Sequence, residues 1–203
     1  MAGANVQLGP GVCLARVPRN GRNFEYLSGE DPFLGYTLVQ PVIKGIQNNS
    51  VVANAKHYIN NNQETNRNSV SEVIDERTRV EMYQPVFAGA IEAGVGSIMC
   101  SYNKINGVWS CENPETLGEI RKAPISYKGY VMSDWGATHS TSISAGLDVE
   151  MPGAGYMNEA ALKAEDHSVD KVRTSTTRIL TAMFSAGISI FLDLGLILII
   201  FDH

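Results

Sequence analysis

From Gly129 to Gly136 the chain reads Gly-Tyr-Val-Met-Ser-Asp-Trp-Gly, a short apolar run that gives way to a carboxylate and an indole. Tyr130 to Met132 predicts a buried strand and Gly136 breaks it, so Asp134 stands where strand becomes loop and points into a site. A carboxylate there can act as nucleophile or base, and Trp135 beside it offers the kind of aromatic face that holds a sugar ring. A structural alternative is that Asp134 only caps a following helix.

Other groups fall at the ends of other apolar runs. After Val51–Ala55 come Lys56 and His57, then the polar run Asn60-Asn61-Asn62-Gln63-Glu64, which no core could absorb. At a fraying strand end both Lys56 and His57 can turn to one mouth and donate to sugar hydroxyls; a solvated strand end with an amide-rich loop is the plainer reading. Met99-Cys100-Ser101-Tyr102-Asn103 puts an apolar, a sulfur and an aromatic group at the same rim, with Tyr102 near Asp134, although core packing explains Met99 equally well. In Gly21-Arg22-Asn23-Phe24-Glu25 the planar fork of Arg22 suits vicinal hydroxyls or a carboxylate; a surface salt bridge is its alternative. Cys100 and Cys111 bracket the turn-rich Asn103–Gly107, leaving Cys13 over. A disulfide closing so short a loop is worth roughly 3 kcal/mol or a little less; in a reducing compartment both stay buried thiols.

These groups need a frame. Asn5–Leu8, Val51–Ala55, Val95–Met99, Gly129–Ser133 and Gly146–Val149 read as strands. A first helix follows Asp31 as N-cap and Pro32, with Tyr36, Val39, Ile43 and Ile46 at helical spacing and Pro41 expected to distort it. A second starts near Asp75 with Val80, Tyr83, Phe87, Ala90 and Ile91 on one face, kinked or split at Pro85 and ended by Gly94. A third opens at Asn113-Pro114 with Leu117 and Ile120. A long fourth, Ser168 to Ala186, is expected to bury Val172, Ile179, Leu180 and Met183. Alternating strands and helices predict an α/β fold with a parallel sheet. No G-x-G-x-x-G follows a strand, whereas polar groups at strand C-terminal ends suit a (β/α) barrel. A barrel takes about eight strands, so the chain reads as a partial (β/α)8 barrel.

With 203 residues, 44% hydrophobic content and a net charge of -5, disordered and fibrous classes are excluded. Basic runs and Cys/His metal spacings are missing, so neither nucleic acid nor a metal is expected as a partner. The N-terminus shows no signal peptide. The run from Ile188 to Phe201 is apolar but interrupted by Asp193 and Gly195, and is shorter than the roughly 20 residues of a spanning helix. It reads as a sticky tail, without a membrane span.

Taken together, G-R-N-F-E, S-G-E-D-P-F-L-G, K-H-Y-I-N-N-N-Q-E, M-C-S-Y-N-x-x-N-G, K-G-Y-V-M-S-D-W-G-A and G-L-D-V-E-M-P-G resemble glycoside hydrolase family 3. The blocks stand in the family's order from about Asn5 to Ala186. The resemblance implies a barrel domain followed by an α/β sandwich, and hydrolysis of terminal β-glucosyl residues with retained configuration and no cofactor. By it, Asp134 is the nucleophile, Arg22, Lys56 and His57 bind the glycone, Met99 and Tyr102 line its pocket, and Trp135 flanks the neighbouring subsite. It pairs Cys100 with Cys111, makes a β-glucoside or oligosaccharide the substrate, and implies an extracellular protein.

It also implies departures. An upstream Asp that binds the terminal sugar, and the second domain with its acid/base Glu, are not in this chain. Pro124 replaces a usual acidic residue, and past Gly187 nothing matches. The loop Tyr58–Glu64 lacks the second His with which some members keep an acid in the barrel. Residues 1–187 are thus read as a partial barrel domain and 188–203 as a tail of unknown role. Two other readings stand beside this one. Lys56 could be the Schiff-base lysine of a barrel aldolase, or the chain could be an inactive sugar-binding product that self-associates through open sheet edges and its tail.

Overall fold

The computed structural model describes residues 3–122, 124–166 and 168–188. The first half runs β1 (Val6–Gln7), α1 (Pro32–Gln47), β2 (Val52–Tyr58), β3 (Ser71–Glu72), α2 (Glu76–Thr78), α3 (Pro85–Glu92) and β4 (Ser97–Cys100). Then come β5 (Lys104–Ile105), β6 (Val108–Trp109), α4 (Pro114–Glu119), β7 (Tyr130–Ser133), α5 (Glu159–Ala164) and α6 (Ser168–Ser185).

The main sheet has four strands in the order β1-β2-β4-β7. All pairs are parallel, with Val6 opposite Val52, Asn54 opposite Ser97 and Ser97 opposite Tyr130. A further parallel bridge from Met132 to Val149 continues the series. The order follows the sequence without reversal, whereas a doubly wound sheet reverses at its switch point; this is an arc of a (β/α) barrel. Alternation along β2 separates its faces. Ala53 and Ala55 pack with Ile98 and Val131 against Val39 and Ile43 of α1 and Val86, Phe87 and Ala90 of α3. Val52 packs with Met99, Tyr130 and Met132 against Ala182 of α6 and Ala186 just beyond it.

Local chemistry explains where these elements start. Asp31 accepts the Phe33 N–H at 2.8 Å ahead of Pro32. Asn113 caps α4 through the Glu115 and Thr116 N–H groups. α1 runs unbroken through Pro41, against expectation. Both Pro41 and Thr37, whose carbonyl the proline leaves without its helical donor, are exposed, so water can take that bond.

The second helix is split as expected at Pro85, and Tyr83, Phe87 and Ala90 of the expected face are buried with Ile91 packed beside them; Val80 is the exception. A π-helical turn over Arg79–Tyr83 separates α2 from α3. The extra residue in that turn rotates the face, so Val80 is exposed while Arg79 is buried, pairing with Glu115 and Glu119. Gly146–Val149 is no strand: Gly146 is left-handed after a 3-10 turn, and Asp148 fills the ladder position by accepting the Val131 N–H with its side chain at 2.8 Å. α6 forms as expected but leaves Val172 and Leu180 exposed, burying Ser175 and Ala182 instead. Small residues let the helix come close, with Ser175 on the Asp148 carboxylate at 2.8 Å. The small sheet β3-β5-β6 and the short α5 were not expected; β5 and β6 form a hairpin through Asn106-Gly107, both at positive φ. The apolar tail, from 189 on, lies outside the described residues.

Candidate active site

The register of β2 against β4 slips where the chemistry begins. Lys56 pairs with Met99 and Tyr58 with Cys100, so His57 is the extra residue of a bulge. A bulge re-aims side chains, and here two consecutive residues reach one cluster. Tyr58 and Ile59 are tied down by the neighbouring loop. Ser110 Oγ donates to the Tyr58 carbonyl at 2.6 Å, and Asn103 Nδ2 to the Ile59 carbonyl at 3.2 Å.

Asp134 follows β7 directly. Its own N–H donates to the Cys100 carbonyl at 3.1 Å, which fixes the backbone at the sheet end. Oδ1 accepts the Trp135 N–H at 2.8 Å, and Oδ2 lies 3.4 Å from His57 Nε2. The carboxylate is buried but not sealed, with 12% of the side chain exposed against 1% for His57. Burial pushes the imidazole well below its usual range, and Arg22, Lys56 and Arg67 act in the same direction. His57 is therefore neutral at pH 7. Its other nitrogen, Nδ1, lies 3.3 Å from the hydroxyl of Tyr26.

Around this pair runs a charge network. Glu25 bonds Arg22 and lies 3.2 Å from Lys56 Nζ. Glu64 lies 3.5 Å from Arg22 and 2.9 Å from Arg67. Burial works against the Glu25 carboxylate, but Arg22 and Lys56 outweigh it and hold its pKa below the usual range. The guanidinium of Arg67 sits 4.2 Å over the Tyr102 ring. Tyr102 donates to the Trp135 carbonyl at 2.8 Å, and burial with the nearby Asp134 charge pushes its phenol up to about 12. With Asp134, Glu25 and Glu64 facing Arg22, Lys56 and Arg67, the cluster is neutral overall while rich in donors.

The structure thus brings together Arg22, Lys56, His57, Tyr102, Asp134 and Trp135. Trp135 keeps 43% of its surface exposed, leaving an open aromatic face. Met99 is buried among Val52, Tyr130 and Met132 and makes no polar contact with the cluster. Cys100 and Cys111 are joined, with Cα atoms 5.2 Å apart, and Cys13 is free and buried, its thiol pushed up to about 11 by burial. Asp148 and Glu150 are taken up structurally. Asp148 binds Arg121, Arg178, Ser175 and the Val131 N–H, while Glu150 binds the Tyr156 and Met157 N–H groups.

One expectation fails here. Asn60, Asn61 and Asn62 are buried rather than solvated, drawn in because the two residues before them are bonded to loop 101–110. Sequence reasoning also missed Tyr26, Glu64 and Arg67 as site residues and gave Glu25 no role. Glu25 and Arg67 each stand three residues from an oppositely charged partner, a spacing that was visible; nothing in the sequence marks Tyr26. Among the described residues no three His, Cys, Asp or Glu side chains gather as a metal would require.

Chemically, the arrangement offers an accessible carboxylate held by the Trp135 N–H with His57 beside it, an aromatic plate, and several cationic donors whose charge is balanced. That set suits attack on a neutral, hydroxyl-rich substrate. Residues 1–183 match the family model described as Glycosyl hydrolase family 3 N terminal domain. The chain is 46% identical over 157 residues to Beta-glucosidase cel3A of Pyricularia oryzae, covering 76% of this chain and 22% of that protein. It is similar to the crystal structure of DesR, a beta-glucosidase from Streptomyces venezuelae in complex with D-glucose. The TM-score is 0.85 and the identity 36%, over 92% of this chain and 26% of that one. Against Beta-D-glucoside glucohydrolase from Trichoderma reesei the TM-score is 0.84 and the identity 41%, over 90% and 27% of the two chains. The chain spans about a quarter of the length of the relatives it matches.

Proposed function

The chain belongs to glycosyl hydrolase family 3, and from that we propose that it carries the nucleophile and glycone-binding part of a retaining β-glucosidase. The observation that carries this reading is Asp134, a partly accessible carboxylate at a strand end, bonded to the Trp135 N–H and beside neutral His57. In the first step an Asp134 oxygen forms an ester bond to the anomeric carbon while the glycosidic C–O bond breaks and the leaving oxygen takes a proton from a general acid. In the second, water attacks that carbon, releases the carboxylate and returns a proton to the same acid, so configuration is retained. Arg22, Lys56 and Arg67 supply donors to the sugar hydroxyls, Tyr102 walls the pocket and Trp135 flanks the next subsite; His57, 1% exposed, faces Asp134 instead of the sugar, and Met99 is buried in the sheet's second apolar cluster rather than lining the pocket.

Among the described residues no carboxyl group beside Asp134 is free to serve as the general acid. A retaining pair needs two carboxyl groups about 5 to 5.5 Å apart, one of them protonated. Glu25 is held ionised by Arg22 and Lys56, and Asp148 and Glu150 are spent on structure. The Schiff-base reading loses ground, since such a lysine should be uncharged and unpaired and Lys56 is paired with Glu25. Export from the cell accords with the disulfide, and the open edges at β1 and Val149 offer a route to self-association.

The test is stereochemical. With an activated aryl β-glucoside, NMR should detect β-glucose as the first product, and Asp134→Asn should abolish its formation. First release of α-glucose, or unchanged turnover by the variant, would overturn the reading.

A further inference from the structure

Asp134 Oδ2 and His57 Nε2 are 3.4 Å apart. This is a contact rather than a hydrogen bond, and a lone pair on Nε2 turned toward a carboxylate oxygen would be repelled, so Nε2 is the nitrogen that carries the hydrogen. In a neutral imidazole that leaves Nδ1 as a bare acceptor, and the Tyr26 hydroxyl stands 3.3 Å from it. Both side chains are buried, and the rings meet edge-on with centroids 6.1 Å apart, so neither can exchange its partner for water. We infer that Tyr26 is a positioning residue: its hydroxyl fixes His57 as the Nε2–H tautomer, which turns the ring N–H toward Asp134. This rests on reading Asp134 as the nucleophile.

The other groups facing His57 do not substitute. The Cys13 thiol bonds the His57 backbone, donating to its carbonyl at 3.4 Å and accepting its N–H at 3.2 Å. Arg22, Lys56 and Arg67 are cations that oppose a charged ring, Glu25 is taken by Arg22 and Lys56, and Tyr102 donates to the Trp135 carbonyl. Among the described residues only Tyr26 hydrogen-bonds Nδ1. Without that hydroxyl, Nδ1 is an unsatisfied buried acceptor beside an anion, and it takes a proton at higher pH. An imidazolium ion-paired with Asp134 would blunt the carboxylate as a nucleophile.

The test is nitrogen NMR of the 203-residue chain labelled at histidine, with His57→Gln identifying the His57 signals. The native chain should show a neutral Nε2–H ring at pH 7 and a midpoint below 6.5. In Tyr26→Phe, which keeps the edge-on ring, the His57 midpoint should rise by about one unit. Site-specific 3-fluorotyrosine at position 26, a stronger donor, should lower it. A native Nδ1–H tautomer, or midpoints unmoved in both variants, overturns the inference. A separate arm treats the same samples with a dinitrophenyl 2-fluoro-glucoside, whose leaving group needs no acid. A slower reaction of Tyr26→Phe, about tenfold at saturation and below its raised midpoint, supports the role. An adduct on Asp134 with unmoved midpoints removes Tyr26 alone, whereas an adduct on another peptide removes the reading of Asp134 and, with it, the purpose given to Tyr26.

Discussion

His57 couples the candidate chemistry to stability. The ordinary value for a histidine is about 6.5, and burial with three nearby cations holds the folded-state value well below it. Between those two values the unfolded chain binds a proton that the folded chain does not. Stability is therefore full above pH 6.5 and falls as pH drops below it, with a limiting slope of about 1.4 kcal/mol per pH unit. Urea unfolding from pH 7 to pH 5 should show that decline, and His57→Gln should flatten it. A native curve with no slope in this window would mean that the ring is not buried neutral. At this scale much of the site was legible in the sequence. Asp134, Lys56, His57 and Tyr102 each end an apolar run, and such ends meet at one rim of a parallel sheet. Tyr26 was not legible, and the i,i+3 spacing that marks Glu25 and Arg67 could not show that they meet, because that depends on two loops, 22–26 and 64–67, approaching each other across the β2 end.

Elements were read well where a period was long enough to count. α1, α3, α4 and α6 show their spacing, and proline at the first position or an Asn or Asp cap marks three of their starts. Two-residue strands carry no period, so the small sheet escaped notice, and a π-helical turn cannot be seen in a pattern that assumes a constant one. Contacts between elements lead to two predictions. A β-carbon on Gly89 of α3 would stand 2.6 Å from the Tyr36 carbonyl oxygen and 2.9 Å from its ring, so α1 and α3 meet at the closest distance glycine allows. Gly89→Ala should cost about 1 to 3 kcal/mol by denaturant titration; an unchanged midpoint would show that the helices can separate freely. The Cys100–Cys111 link spans 11 positions behind the β4 end. Its reduction should cost roughly 3 kcal/mol or a little less. Alkylation of the unfolded, unreduced chain should label Cys13 alone, and labelling of all three cysteines would rule the bridge out.

At the scale of the molecule, the sheet is an arc with free edges, and the proposed nucleophile has no acid positioned beside it among the described residues. General acid catalysis contributes about 10²- to 10⁴-fold, and its loss matters most when the leaving group is a sugar alkoxide. The 203-residue chain should therefore turn over cellobiose far more slowly than dinitrophenyl glucoside. Equal rates on both, abolished by Asp134→Asn, would place an acid within these residues. The partial barrel was legible because strands and helices alternate and polar groups fall at strand C-terminal ends with no dinucleotide-binding glycine motif, and the in-order sheet agrees with it. The burial of the inner face against the end of α6 was not, since small residues such as Ala182 and Ala186 give no hydrophobic signal. Everything proposed for this molecule turns on one oxygen atom attacking one carbon, and peptide mapping reads that event directly. After reaction with a dinitrophenyl 2-deoxy-2-fluoro-glucoside, one peptide should gain the mass of the fluoro-sugar, fragmentation should place it on Asp134, and Asp134→Asn should gain none. A fluoro-sugar on any other residue, or one retained in Asp134→Asn, would contradict the assignment.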